Sequence, residues 1–308
     1  MFGKLGVPKM TAEPTYNKHS ASLAAIFILG DSVIVLPYAS SGKYALFGFA
    51  LSAAAAFVLY FAALPIARRF FINPQNGNIF RKTVSAVLLY AAAAYALAGA
   101  GQTFIRFINY VDKIVMPNSG RFFIALIFVL ITAALATRRH EVILKLSLIF
   151  LVFGTVTVLL FFLLSAKDFN IENISFYAFP SFKELFKETL PYFFGVSLPA
   201  LLIPVFEVLF FGRTRKAAGF AGLGIGLSLI TLCLLDCLLL FGQELSARLD
   251  FPLSAAVSTV TVGPLFTRMD GVIYCLFFAT ALIKTAVCIK ISYFSLEIIK
   301  SLKIKAYK

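Results

Sequence analysis

Two membrane-length apolar segments of this chain each contain the residues that stop a helix. In the first, Leu29-Gly30-Asp31-Ser32-Val33-Ile34-Val35-Leu36-Pro37 sets a glycine, an acid and a proline inside an apolar run. In the second, Phe194-Gly195-Val196-Ser197-Leu198-Pro199 leads on to Pro204 and Glu207. Hydrocarbon offers no hydrogen-bond partner to a freed backbone group, so breaks at membrane depth persist only where protein or a polar cavity satisfies them. Paired broken helices are the sequence pointer to a binding site in a transporter-type fold. This device sets the class of protein before any other motif is read.

Composition agrees. Of the 308 residues, 60% are apolar or aromatic and 14% are charged, with a mean hydropathy of +0.92. A soluble domain has no use for so much apolar surface. A hydrocarbon core about 30 Å thick is crossed by roughly 20 helical residues. The pattern therefore predicts an all-α integral membrane protein, one polytopic domain over 1–308, with about eight transmembrane helices. They are expected at 20–40, 44–66, 84–105, 121–137, 142–165, 189–211, 217–241 and 271–298.

The formal charge of +14 is distributed as a topology signal. With both ends on one side, that side gathers 17 basic residues, including Arg68, Arg69, Arg138, Arg139, Arg213 and the tail lysines. The other side has nine, Arg106 and Arg121 among them, nearly balanced by eight acids. The positive-inside rule then places both termini in the cytoplasm. Because the basic residues punctuate spans and build no groove-reading element, nucleic acid is not an expected partner; the lipid bilayer is. The N-terminal run carries Asp31 and has no clear cleavage site, so it reads as a retained first span.

Loops are short apart from 166–188, where Lys183-Glu184 and Lys187-Glu188 suggest an amphipathic surface helix. The stretch 244–270 is too interrupted to cross and is expected to cap the outer face or partly re-enter. Small residues at four-residue spacing, Ala218-Gly222-Gly226 above all, predict close helix packing. Cys233, Cys237, Cys275 and Cys288 fall within spans and read as small apolar fillers.

Ionisable groups inside spans are costly and mark function. Asp31, Glu207, Asp236, Lys284 and Lys290 qualify. Asp31 and Glu207 have two readings: a ligand, proton or switch role, or satisfaction of a half-helix, since Asp and Ser are preferred caps. Exposed half-helix N-termini also attract anionic groups, which suits an amino-acid carboxylate. Asp236 and Lys284 are candidates for coupling or for structure, and Lys290 is expected to snorkel. No nucleophile–base–acid set, P-loop or metal-ligand spacing is present in the sequence, so neither an enzyme nor a cofactor is expected.

Several stretches together resemble the spore germination permease family, the integral-membrane B subunit of germinant receptors within the amino acid–polyamine–organocation superfamily. Ile28-Leu29-Gly30 through Leu36-Pro37 resembles its first span, and Arg138-Arg139-His140-Glu141 through Leu146 its basic loop and following helix. Phe206-Glu207-Val208-Leu209 is similar to its sixth-span signature and Phe241-Gly242 to its seventh-span end. The most specific matches are Phe251-Pro252, Arg268-Met269-Asp270-Gly271 and Ile283-Lys284.

The resemblance implies a LeuT-type broken-helix fold of inverted five-helix repeats. The second repeat would be shortened, because members have about ten spans. It further implies that Gly30, Asp31, Ser32, Gly195 and Ser197 line a ligand pocket with Glu207 beneath it, and that Arg268 and Asp270 lie in an outer cap. Lys43-Tyr44 stands where members often have an acid–tryptophan pair, so substrate choice does not carry over. The implied function is a subunit in the bacterial cytoplasmic or spore inner membrane. It would bind a small nutrient such as an amino acid and trigger germination with other receptor subunits. An ion-coupled amino acid transporter is the alternative.

Overall fold

The computed structural model describes residues 13–30, 32, 44–72, 78–117, 120–173, 181–214, 216–259 and 270–306. Among them every regular element is helical: α1 (Glu13–Leu29), α2 (Ala45–Phe71), α3 (Ile79–Tyr110), α4 (Arg121–Thr137), α5 (His140–Ser165), α6 (Phe182–Tyr192), α7 (Leu202–Phe211), α8 (Lys216–Arg248), α9 (Pro252–Thr259) and α10 (Asp270–Ala306). A π-turn, Val111–Val115, extends α3.

Among the described residues, six helical stretches are long and apolar enough to cross a membrane: Ala45–Phe71, Ile79–Val115, His140–Asp168, Phe182–Phe211, Lys216–Arg248 and Asp270–Leu302. They coincide with six of the eight expected spans. The seventh, 121–137, is the 17-residue apolar α4. The remaining one, 20–40, begins within α1, and its residues 33–40 lie outside the described ones.

Burial sorts these helices into a centre and a rim. α1 is buried on all sides from Ser22 to Leu29, and so is α7 from Leu202 to Phe210. A helix apolar all round belongs in an interior, and these two are the helices that flank the sequence breaks. On the rim, α2, α3, α4 and α5 present large apolar side chains outward, such as Val58, Val87, Phe122 and Leu163. Such faces suit hydrocarbon rather than water.

Around the centre, α1 packs against α8 and α5, α2 against α6 and α7, and α10 along α3. The α1–α8 approach depends on missing side chains. A Cβ on Gly222 would overlap the Ala21 carbonyl oxygen, and one on Gly226 would meet the Ala25 carbonyl at 3.1 Å. The small-residue pattern of α8 is thus a backbone-to-backbone seam, as expected where lipid gives helices no hydrophobic reason to associate.

α8 itself bends. Gly242 lies at φ 71°, ψ 177° inside it, where the expected seventh span ends. The carbonyls freed there are taken by a neighbouring loop: Asn173 Nδ2 and the Asn170 backbone N–H donate to Leu239 O at 2.9 and 3.1 Å. Ser246 Oγ donates to Cys237 O at 3.1 Å. Replacing Asn173 by Ala removes one of these donors. It should cost about 1 kcal/mol and lower the detergent-solubilised unfolding midpoint by about 2–4 °C.

Two sequence expectations change shape here. The surface helix expected within the loop 166–188, on Lys183-Glu184 and Lys187-Glu188, is α6, which is continuous with the segment that follows, and Glu188 is buried against α2 rather than exposed. α6 begins at a capping box, with Ser181 and Glu184 each satisfying the other's backbone N–H. The stretch 244–270 contributes the end of α8 and then α9, which packs on α8 and α10. There Ser254 hydrogen-bonds with the Tyr110 hydroxyl at 3.4 Å.

Candidate functional site

α1 ends where the sequence expects the first break, and α10 holds that end. α1 ends at Leu29, and Gly30 takes φ 27°, in the left-handed region that glycine alone enters cheaply. Its carbonyl accepts from Thr280 Oγ1 at 2.9 Å, so the group freed by the break is satisfied at membrane depth. One turn further along α10, Lys284 runs its side chain over Gly30. A Cβ on Gly30 would overlap Lys284 Cδ and stand 3.2 Å from Nζ. The ammonium lies 5.9 Å from the Phe27 ring centroid, in cation–π range. Gly30→Ala must therefore strain the backbone and displace Lys284. A clear loss of thermal stability, read from the unfolding midpoint of the detergent-purified variant, is the expected result.

The second segment breaks in pitch rather than opening out. α6 passes into a π-turn, Phe193–Ser197, then a 3₁₀ turn, Leu198–Leu201, and then α7. The junctions keep right-handed helical dihedrals, with Leu198 at φ −61°, ψ −41°. Proline's fixed φ is compatible with a helix; what it removes is a donor. Pro199 has no N–H to offer the Gly195 carbonyl four residues earlier, and Ser32 Oγ donates to that carbonyl at 3.4 Å. The two breaks thus meet directly. Ser197 is turned elsewhere: its hydroxyl donates to Ser52 O at 2.6 Å and pairs with Ser52 Oγ at 2.6 Å, which ties the π-turn to α2.

Between the breaks, α3 and α10 enclose a cavity of about 20 Å³. Gly195 and Phe27 contribute from the breaks, Lys284 from α10, and Gln102, Thr103 and Arg106 from α3. By that measure it holds about one water molecule, so anything of amino-acid size requires its walls to part. Two cationic side chains face one small chamber. Thr103 Oγ1, fully buried in its wall, has no hydrogen-bond partner among the described residues. A buried polar atom without a partner is uncommon and calls for a physical explanation, such as a water or ion held there.

Arg106 and Thr103 were missed in the sequence. Arg106 falls one residue past the expected span 84–105, but α3 continues to Tyr110 and carries it inside the helix. Tyr95, Gly99, Gln102 and Arg106 recur at helical spacing, and all line the chamber. A polar stripe on one face of a span was the signal that could have found them.

The other expected residues lie apart. Glu207 is fully buried and accepts from Ser20 Oγ at 3.1 Å. Ser20 is ten residues before Gly30, about 15 Å along α1, so Glu207 serves the α1–α7 contact rather than the chamber wall. A Cβ on Gly219 would meet Glu207 Oε1 at 2.6 Å, so α8 also closes on it. Asp236 is buried in α8 away from the chamber, its Oδ1 without a hydrogen-bond partner among the described residues. Asp270 opens α10 and accepts from the Tyr274 hydroxyl at 3.0 Å. Lys290 donates to the Arg138 carbonyl at the α4–α5 junction. Asp31 and Arg268 lie outside the described residues.

Membrane-length apolar helices packed around a buried centre define an integral membrane protein. The family model described as spore germination protein matches residues 18–307, and the chain belongs to that spore germination permease family. A search of curated proteins finds no match. Membership points to a membrane receptor or transporter rather than an enzyme.

Proposed function

We propose that this protein is the membrane subunit of a germinant receptor, and that a small nutrient carrying a carboxylate, an amino acid foremost, binds between its two interrupted helices. The observation that carries this reading is the convergence of Lys284, Arg106 and the Thr103 hydroxyl, without a partner among the described residues, on the place where Ser32 meets Gly195. Two cations in a low-dielectric wall favour an anionic group, and charge-assisted hydrogen bonds are the stronger ones.

Entry of the nutrient would part the Ser32–Gly195 contact and shift α1 on its glycine seam with α8. Only a ligand that prefers the parted state can drive that shift. Glu207, through Ser20, is positioned to register movement of α1. Asp236 is a candidate for coupling, and Asp31 for the chamber's edge, with Arg268 and Asp270 in the cap. The helices are arranged in the LeuT manner in this reading, both termini are cytoplasmic, and other receptor subunits receive the change. The membrane is the bacterial cytoplasmic or spore inner membrane.

Deleting the gene in its spore-forming host and following loss of refractility against single amino acids, sugars and nucleosides tests the reading. A selective loss for one nutrient class, restored by the intact gene, is expected. Unchanged responses in the absence of a redundant homologue would contradict it, and saturable uptake by reconstituted protein would then favour a transporter.

A further inference from the structure

Away from the chamber, a cleft of about 490 Å³ opens between the end of α3, the Val111–Val115 turn, α4, α5 and the first turns of α10. Phe107, Val115, Ile124, Phe150, Phe277 and Phe278 give it apolar walls. The two tyrosines in its lining use their hydroxyls on the protein, Tyr110 on Ser254 at 3.4 Å and Tyr274 on Asp270 at 3.0 Å. Its volume is that of a ligand pocket, about 300–1,000 Å³, yet it lacks the convergent polar groups that orient a polar metabolite.

Its position says what fills it. The α3 and α10 walls belong to the membrane-length stretches Ile79–Val115 and Asp270–Leu302. Ile127, Met116 and Cys275, all in the lining, are exposed on the outer face of the bundle. Charges of both signs gather at one end. Asp112, in the turn that walls the cleft, pairs with Arg121 at 2.7 Å, and the neighbouring Lys113 pairs with Asp250 at 2.6 Å. From Arg121 to Ile127 the wall runs six residues inward, about 9 Å of helix. A slot with a charged mouth and an apolar barrel matches an amphiphile lying along the helices. Unfilled apolar walls forfeit dispersion contacts, and lipid tails are the solvent on that face.

We propose that this cleft is a lipid site, in which one acyl chain of a bilayer phospholipid lies between α3, α4 and α10 with its headgroup at the Arg121–Asp112 and Lys113–Asp250 pairs. The site bears on the chamber through α10, because Ala279 in the cleft wall precedes Thr280, whose hydroxyl holds the Gly30 carbonyl. It does not depend on the identity of the nutrient.

The chain contains no tryptophan, so a single introduced one reports its own surroundings. Phe278→Trp places it in the cleft, Val58→Trp on the outward face of α2, and Phe206→Trp in the core. Each detergent-purified variant is titrated with phospholipid brominated on its acyl chains. Quenching of Phe278→Trp at about tenfold lower lipid than Val58→Trp, saturating at one lipid per chain and reversed by the unbrominated lipid, is expected. Coincident titrations of the two would mean ordinary boundary lipid and overturn the site. A response as weak as that of Phe206→Trp would mean a cleft closed to lipid or filled by another protein segment, and would overturn it too. Native mass spectrometry of the unsubstituted chain gives an independent reading: one retained phospholipid supports the site, and none retained at any detergent level that keeps the protein folded contradicts it.

Discussion

Gly222→Val is expected to remove folded protein from the membrane, whereas Gly224→Val, two residues on, should be tolerated. The difference follows from where each Cβ would go. At Gly222 it would overlap the Ala21 carbonyl oxygen, stand 2.7 Å from Ala24 Cβ and 3.0 Å from the Ala21 carbonyl carbon. Two of those three atoms are backbone of α1, so no side chain can swing away to make room. At Gly224 nothing lies within 4 Å. Overpacking a close-packed interior by one group costs about 1–3 kcal/mol, and valine adds three carbons at this seam. Fluorescence-detected gel filtration of tagged variants reads the outcome as a monodisperse peak kept or lost. Equal behaviour of the two variants would refute the α1–α8 seam as described.

Lys284→Met is expected to raise the nutrient concentration for half-maximal germination by about 10–100-fold while the protein still accumulates. Methionine keeps much of the stem that crosses Gly30 and removes the charge. A hydrogen bond to a charged group contributes about 1.5–3 kcal/mol, and each 1.4 kcal/mol is tenfold in affinity. Lys290→Met is the matched control. That lysine is also buried in α10 but reaches the Arg138 carbonyl at the α4–α5 junction, outside the chamber. Its loss should lower stability without moving the dose response. An unchanged response in Lys284→Met would remove the cation from the binding role.

Local chemistry announced the first break. Glycine before Asp-Ser, with proline beyond, leaves a helix few ways to continue, and Gly30 does leave it with a positive φ. The second was legible as a disturbance but not in its form. Three prolines, Pro191, Pro199 and Pro204, interrupt hydrogen bonding without forcing φ out of the helical region, so the chain changes pitch and stays helical. Gly222 and Gly226 were legible because the spacing of small residues is itself the packing instruction.

The chamber's second cation was not legible. Arg106 falls at the end of an apolar run, where a basic residue reads as a topology marker, and only the extension of α3 to Tyr110 brings it inward. Ser197 stood in the right segment, yet a hydroxyl's partner is chosen by whichever helix packs beside it, and here that is Ser52 on α2. Glu207 likewise belongs to the broken segment but lies five residues beyond Leu202, past the chamber wall. Tertiary placement, not residue type, separates the acid that closes α1 on α7 from the lysine and arginine that line the small chamber.

Accessibility of the chamber to a thiol reagent addresses the central claim most directly. A Cβ on Gly195 would have nothing within 4 Å, so Gly195→Cys can be introduced without a clash, with the exposed Cys275 replaced by Ser. Its alkylation rate in membranes is then followed with and without the nutrient identified in the spore assay, against the same background lacking the new cysteine. A change in rate that saturates over the concentrations triggering germination, and that is absent for nutrients the spores ignore, is predicted. A rate indifferent to a nutrient that still triggers germination through the same variant would contradict binding between the two interrupted helices.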